Sequence, residues 1–197
     1  SGLVGSEMCI RDSIHFVPSM LKAFNGYLRA RGLTYPASLK HVFCSGEALS
    51  LQEARVFQGL SNQAALINLY GPTETTIDSS YFNVNHDVFI GKPIDNTTLY
   101  ILDQHLNPLP IGAIGELYIG GIGVARGYLN QEKLTQERFI QNPFSEGRIY
   151  KTGDLVRYLP DGNIEYIGRN DFQVKIRGFR VELGEIENTI SQFPGIE

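Results

Sequence analysis

Residues 68–76, NLYGPTETT, carry an apolar strand signal into a tight Gly-Pro turn with threonine hydroxyls, one carboxylate and one aromatic ring. Backbone amides and hydroxyls at a strand end can hold phosphate oxygens. Glu74 can ligate Mg²⁺, which prefers oxygen donors, and Tyr70 can stack on a base. The same residues also fit an ordinary turn with solvated threonines. In YKTGDL, residues 150–155, an ionised Asp154 is acceptor-only with two oxygens, so it can take both hydroxyls of a ribose. Read alone, an Asx turn opening a strand is the simpler account. Residues 168–182 place Arg169, Lys175, Arg177 and Arg180 within twelve positions. Such a cluster suits phosphate or a thioester-carrying partner, and equally a charge-laced exposed hairpin turning at Gly178. The glycines of residues 115–128 lack the Lys-Ser/Thr ending of a Walker loop and sit amid strand patterning. Turns and bulges around a strand are the favoured reading there.

These loops need elements to hold them. Val17, Met20, Leu21, Phe24 and Leu28 recur at helical spacing behind Pro18, a tolerated first-turn proline. Residues 39–44 read as a buried strand, and 64–69 as a second. Between them Ser50 and Glu53 form a Ser-x-x-Glu capping box for a helix to about Leu60. Strand, helix, strand predicts a parallel βαβ unit with its functional loops, 45–47 and 70–74, at the strand ends. Beyond about Ile90, short β-like runs at 98–102, 115–119, 148–150, 155–158 and 164–167 alternate with turn chemistry, including a hairpin signal at 160–163. One helix, 131–139, has Asn130 as its expected cap. This part reads as a small barrel or distorted sheet. From Phe172 a charged strand pair precedes a helix whose apolar face is Leu183, Ile186, Ile190 and Phe193.

The composition excludes several classes. At 197 residues, 42% apolar and 19% charged, the chain suits a globular fold with a sizeable core. Its net charge of −4 argues against a nucleic-acid surface. Cys9 and Cys44 cannot make a disulfide scaffold or a four-ligand metal site. No long apolar run or secretory h-region exists, so a cytoplasmic setting without membrane contact is expected. Residues 1–13, SGLVGSEMCIRDS, show neither periodicity and read as a non-native or artefactual segment, MCIRDS resembling translated sequencing-adapter sequence.

Each motif is ambiguous alone, but their order and spacing are not. CSGEALS, NLYGPTETTID, GELYIGGIGVARGYLN and YKTGDLVRYLPDGNIEYIGRNDFQVKIRGFRVELGEIE together resemble the amino-acid adenylation domains of nonribosomal peptide synthetases, within the AMP-binding, adenylate-forming superfamily. The resemblance covers residues 14–197. It implies a mixed α/β (α+β) fold in three parts: a βαβ part of the large subdomain (14–90), a small β-barrel-like part (91–170), and the truncated start of a small C-terminal α+β domain (171–197). It also implies roles. Gly46, Glu47 and Gly71 would line the adenine site with Tyr70 stacked on the base, and Tyr166 would lie near the nucleotide. Thr73 would touch the adenylate phosphate, Glu74 would hold Mg²⁺, Asp154 would bind the ribose hydroxyls, and Arg169 would reach ribose and phosphate. Asp171 would be the hinge that brings residues 175–180 to the site for a second half-reaction. His15, Phe43, Ser45, Leu69, Ile77 and Asp78 would line the amino-acid pocket, a set similar to the family's serine-selective one. Read from the residues alone, His15 also fits a satisfied core histidine and Asp78 a strand end. The implied cofactors are ATP/AMP, Mg²⁺ and the phosphopantetheine of a peptidyl carrier domain, and the implied partners are that carrier and neighbouring synthetase domains. The family's phosphate loop and two lysines have no counterpart in this sequence, so the resemblance implies an internal piece of a larger enzyme, inactive alone. An acyl- or aryl-CoA ligase of the same superfamily and a non-catalytic nucleotide-binding remnant are the alternatives.

Overall fold

The computed structural model describes residues 12–61, 63–171, 173–176, 178–182, 186, 189 and 190. Its first layer is a five-stranded sheet in the order β1 (Ser13–Phe16), β2 (His41–Cys44), β3 (Ala65–Tyr70), β4 (Ser80–Asn83), β5 (Lys92–Pro93). The first three strands are parallel and the last two antiparallel. Helices α1 (Pro18–Arg31) and α2 (Leu51–Leu60) are the two crossovers, so the expected βαβ unit is present and gains one more strand in front. That strand, β1, has only four residues and begins at Ser13, inside the segment that lacks sequence periodicity.

Side chains alternate along a strand. Val42, Cys44 and Leu66 point to one face, where Leu21 and Leu28 of α1 and Phe57 of α2 close a core with them. Met20, expected on the apolar side of α1, is 58% exposed, because the buried stripe is narrower: Leu21, Asn25 and Leu28. The opposite sheet face carries His15, Phe43 and Leu69 and is not covered by these helices. α1 ends at Gly32, whose left-handed φ of 63° lets its N–H reach the last carbonyls. α2 starts at Ser50, whose hydroxyl accepts from the Glu53 N–H at 3.2 Å. Ser50→Ala is therefore expected to cost about 1 kcal/mol in a urea titration. A loss too small to measure would show that the cap contributes nothing.

The second sheet runs β10 (Ile164–Arg169), β9 (Arg148–Tyr158), β7 (Gly115–Gly121), β6 (Thr97–Leu102), with β8 (Phe139–Gln141) also on β9. It is antiparallel throughout. The barrel anticipated from sequence does not close among the described residues: β6 and β10 do not pair. Instead the start of β10 meets Gly91, with the Ile164 N–H donating to the Gly91 carbonyl, which ties this sheet to the first. The two runs expected at 148–150 and 155–158 are one strand. The polar residues between them form a bulge in which Thr152, Gly153 and Asp154 oppose Leu117 alone. The short helix α3 spans Glu132–Arg138. Gln131 is its N-cap without a side-chain bond, and Asn130, the expected cap, is turned into the left-handed region at φ 56°.

The expected charged hairpin is formed by β11 (Gln173–Ile176) and β12 (Phe179–Glu182), turning at Gly178 with φ 79°. The side chains of Lys175, Arg177 and Arg180 lie outside the described residues, as do Leu183 and Phe193 of the expected closing helix; its described residues, Ile186, Thr189 and Ile190, are helical, and Ile186 and Ile190 are 46% and 45% exposed. No described helix is long and apolar enough to cross a membrane.

Candidate functional site

A cleft of about 580 Å³ opens where the C-terminal end of β3 meets the β9–β10 pair. This is the position at which an α/β sheet presents its loops. Gly46, Glu47, Tyr70, Gly71, Asp154, Tyr166, Arg169 and Asp171 all line it, so residues from four separate motifs share one wall. The wall is organised by a chain of polar groups. The Tyr70 hydroxyl donates to Asp154 Oδ2, and Arg169 Nη1 donates to Asp154 Oδ1 at 2.7 Å. Arg169 is itself clamped by Asp171, Nε to Oδ1 at 2.6 Å and Nη2 to Oδ2 at 2.7 Å, a fork-to-fork pair. Its Nη2 also donates to the Thr152 carbonyl at 3.1 Å. Arg169 and Asp154 are largely enclosed, with side chains 15% and 9% exposed.

This arrangement fixes charge. Burial, reinforced by the neighbouring Asp154, raises the Tyr70 phenol well above its ordinary value, so it stays a donor. Burial opposes the charge of Arg169, but the Asp171 hydrogen bonds and Asp154 outweigh it and move its pKa further up. Asp171 is held below the usual carboxylate range, mainly by Arg169. The cleft thus keeps one cation between two carboxylates. Glu47 has both oxygens engaged: Oε2 accepts from the Ser19 N–H at 2.9 Å and Oε1 from the Gly178 N–H at 2.7 Å. It ties the first turn of α1 and the C-terminal hairpin to the lip of the cleft.

The loop after Tyr70 is a 3-10 turn, Thr73–Thr75, followed by Thr76 and Ile77 at φ 65° and 76°. Two successive left-handed residues, both β-branched, are strained backbone. They leave Ile77 64% exposed while Asp78 turns inward. Thr73 is exposed. Glu74 is only 8% exposed, with the Tyr128 hydroxyl donating to its Oε1 at 2.7 Å. Among the described residues no cluster of three or more His, Cys, Asp or Glu exists. An all-protein metal cage is therefore not built there. Mg²⁺ keeps several waters and takes one or two carboxylates plus substrate phosphates, so a single carboxylate suits it in kind, but Glu74 does not itself line the cleft.

On the uncovered face of the first sheet, His15 Nε2 and Ser45 Oγ are 2.8 Å apart. Asp78 is close enough for His15 to act on its carboxyl, which burial raises and the histidine pulls back down. Asp78 Oδ1 is buried without a hydrogen-bond partner. His15, pictured from sequence as either a pocket residue or a core histidine, is exposed on this face. Phe43 is its register partner on β2, and Leu69 reaches the cleft wall.

A family model described as AMP-binding enzyme matches residues 12–129. The chain belongs to the AMP-binding enzyme family. It is 51% identical over 203 residues to a component of the mycosubtilin synthase of Bacillus subtilis, matching 94% of this chain and 8% of that protein. It is 49% identical over 178 residues to malpibaldin synthetase of Mortierella alpina, which matches 86% of this chain and 3% of that one. Among solved structures it superposes on PA1221, an NRPS protein containing adenylation and PCP domains, with a TM-score of 0.85 at 30% identity, over 94% of this chain and 38% of that chain. The chain therefore spans well under half the length of these relatives.

Two residues carry more of the cleft than their sequence motifs announce. Asn68 lines the cleft, is 6% exposed and donates from Nδ2 to the Phe89 carbonyl at 2.7 Å. Its Oδ1 is buried and unpartnered. It stands inside the NLYGPTE run, but an asparagine at a strand position gives no signal until the sheet shows which way it points. Glu116 supports the Asp154 bulge from behind, and only the strand register reveals it.

Proposed function

We propose that this chain supplies the nucleotide-holding wall of an adenylation site. There an amino-acid carboxylate oxygen attacks the α-phosphorus of ATP, the bond to the departing pyrophosphate breaks, and an aminoacyl-adenylate forms. The thiol of a carrier domain's phosphopantetheine then displaces AMP. The observation that carries the reading is the single cleft in which Asn68, Tyr70, Asp154 and Arg169 converge from both sheets. A nucleoside needs those groups: a ring face, an acceptor for the exocyclic amine, and a carboxylate for the ribose hydroxyls. Tyr70 has its ring orientation set by the bond to Asp154. Asn68 Oδ1 is a buried acceptor awaiting a donor, which an adenine amino group supplies. Asp154 retains acceptor capacity beyond its bonds to Tyr70 and Arg169, because a carboxylate offers about four lone-pair sites. Arg169, held by Asp171, places fixed positive charge beside the phosphates without reorganisation. Glu74 would hold Mg²⁺, which offsets charge on the transferring phosphoryl group when bound.

The amino acid we propose is serine. His15, Ser45 and the unpartnered Asp78 Oδ1 form a polar corner that accepts a side-chain hydroxyl, while Phe43 and Leu69 supply its apolar wall. An alanine side chain leaves that buried acceptor unpaired, at about 1–3 kcal/mol. In ATP–pyrophosphate exchange by the adenylation enzyme carrying this chain, serine is expected to exceed alanine, threonine and phenylalanine by about 10–100-fold in kcat/KM. Equal or greater exchange with any of the three would sink the assignment. Absence of exchange with every amino acid would sink the adenylation reading itself.

A further inference from the structure

Asp154 faces the cleft from a bulge, and a bulge exposes backbone groups that the ladder no longer satisfies. Opposite Leu117 the strand β9 carries three residues instead of one. Each has a replacement partner. The Thr152 hydroxyl donates to the Leu117 carbonyl at 2.7 Å and accepts from the Asp154 N–H at 2.9 Å. The Gly153 carbonyl accepts from the Asn170 N–H at 3.0 Å. The buried Gly153 N–H, at φ 80°, finds its acceptor in a side chain: Glu116 Oε1 at 3.0 Å. Glu116 is 13% exposed, its other oxygen is 3.6 Å from Lys151 Nζ, and it does not line the cleft.

The geometry points to Glu116 as a positioning residue for Asp154: it holds the Gly153 peptide in the bulged conformation that aims the carboxylate at the ribose. The inference rests on the reading of Asp154 as the ribose carboxylate. Without the acceptor, a buried N–H is orphaned and the peptide is free to rotate toward water. Asp154 and its register partner Arg169 follow, because Arg169 is bonded to the Thr152 carbonyl within the same bulge. Glutamine keeps an oxygen that can accept from Gly153. Aspartate keeps the charge but falls one methylene short.

The test is the preference of the adenylation enzyme carrying this chain for ATP over 2′-deoxy-ATP, read as a ratio of kcat/KM values in pyrophosphate exchange. E116A is expected to cut that ratio about tenfold, with KM for the amino acid unmoved, and E116D to cut it similarly. E116Q is expected to restore it to within about threefold of the parent. D154A, measured alongside, is expected to abolish the preference. If D154A leaves the ratio intact, the ribose reading of Asp154 falls. If D154A abolishes the ratio but E116D or a folded E116A leaves it unchanged, Glu116 is merely structural and the proposal is overturned. A ratio as low in E116Q as in E116D also overturns it, since charge and not the acceptor would then be at work.

Discussion

Asp154→Ala is expected to lower kcat/KM for ATP by about 10²–10⁴-fold in pyrophosphate exchange. A hydrogen bond to a charged group contributes about 1.5–3 kcal/mol, and every 1.4 kcal/mol is tenfold, so two ribose hydroxyls on one carboxylate account for that range. The loss is expected mainly in KM, because the ribose stays outside the bonds that change and its contacts are made in ground and transition states alike. Two secondary effects act in the same direction. The Tyr70 hydroxyl loses the acceptor that orients its ring. Arg169 loses one of its carboxylates but keeps Asp171, bonded through two nitrogens. That surviving pair is why the fold should hold: removing one partner of a fully buried ion pair costs about 3–5 kcal/mol, whereas here the cation retains a bidentate partner. A melting temperature within a few degrees of the parent, together with the fall in kcat/KM, is the expected pair of results. A kcat/KM within about threefold of the parent would remove Asp154 from the nucleotide site.

The βαβ unit was legible because its signals are local. Ser50 and Glu53 announce a helix start, and the structure shows the Ser50 half of that box as a bond. The apolar runs of β2 and β3 are likewise short and bounded. The second sheet was legible as strands but not as a topology. Whether β6 meets β10 depends on what else competes for the β10 edge, and the competitor, Gly91, sits in a loop with no pattern of its own. The splitting of β9 into two expected runs has the same origin. The bulge residues Thr152–Asp154 break the apolar alternation, yet the Gly153 N–H bond to Glu116 and the Thr152 hydroxyl bond to the Leu117 carbonyl keep the strand continuous. Among site residues, those inside a motif with a distinctive side chain, such as Tyr70, Asp154 and Arg169, stood out in the sequence and meet in the cleft. Those whose role depends on direction did not. Asn68 and Leu69 lie on opposite faces of the strand, yet at its end both reach the cleft, and only the sheet shows that the Asn68 amide is aimed into it. Glu47 stood out as a cleft residue, but its two backbone partners lie 28 and 131 positions away.

Gly71→Ala is expected to lower kcat by about 10²-fold while leaving the protein folded. Gly71 has no left-handed backbone to explain its identity, so the reason is space. A Cβ there would sit 2.3 Å from the Ile77 carbonyl oxygen and 2.7 Å from the Ser79 nitrogen. Both are backbone atoms and cannot swing aside as a side chain would. The Ser79 N–H already donates to the Tyr70 carbonyl at 2.7 Å, so the loop closes directly over Gly71. An added methyl must push residues 77–79 outward, or Tyr70 inward, by several tenths of an ångström at least. That displacement reaches the two groups assigned to opposite ends of the reaction: Glu74, held within the same loop, and Asp78, between the strained Ile77 and Ser79. Misplacement on the ångström scale is enough to cost about 10²-fold in rate, whereas overpacking of this kind costs about 1–3 kcal/mol of stability. The loop also holds its strain in Thr76 and Ile77 only because contacts on both sides over-determine it, so relaxation after substitution is expected to move Asp78 furthest. The accompanying signature is therefore a blunted preference for serine over alanine. Unchanged kcat with a drop in melting temperature alone would show that the loop absorbs the methyl without moving the site, and would separate its packing from its chemistry.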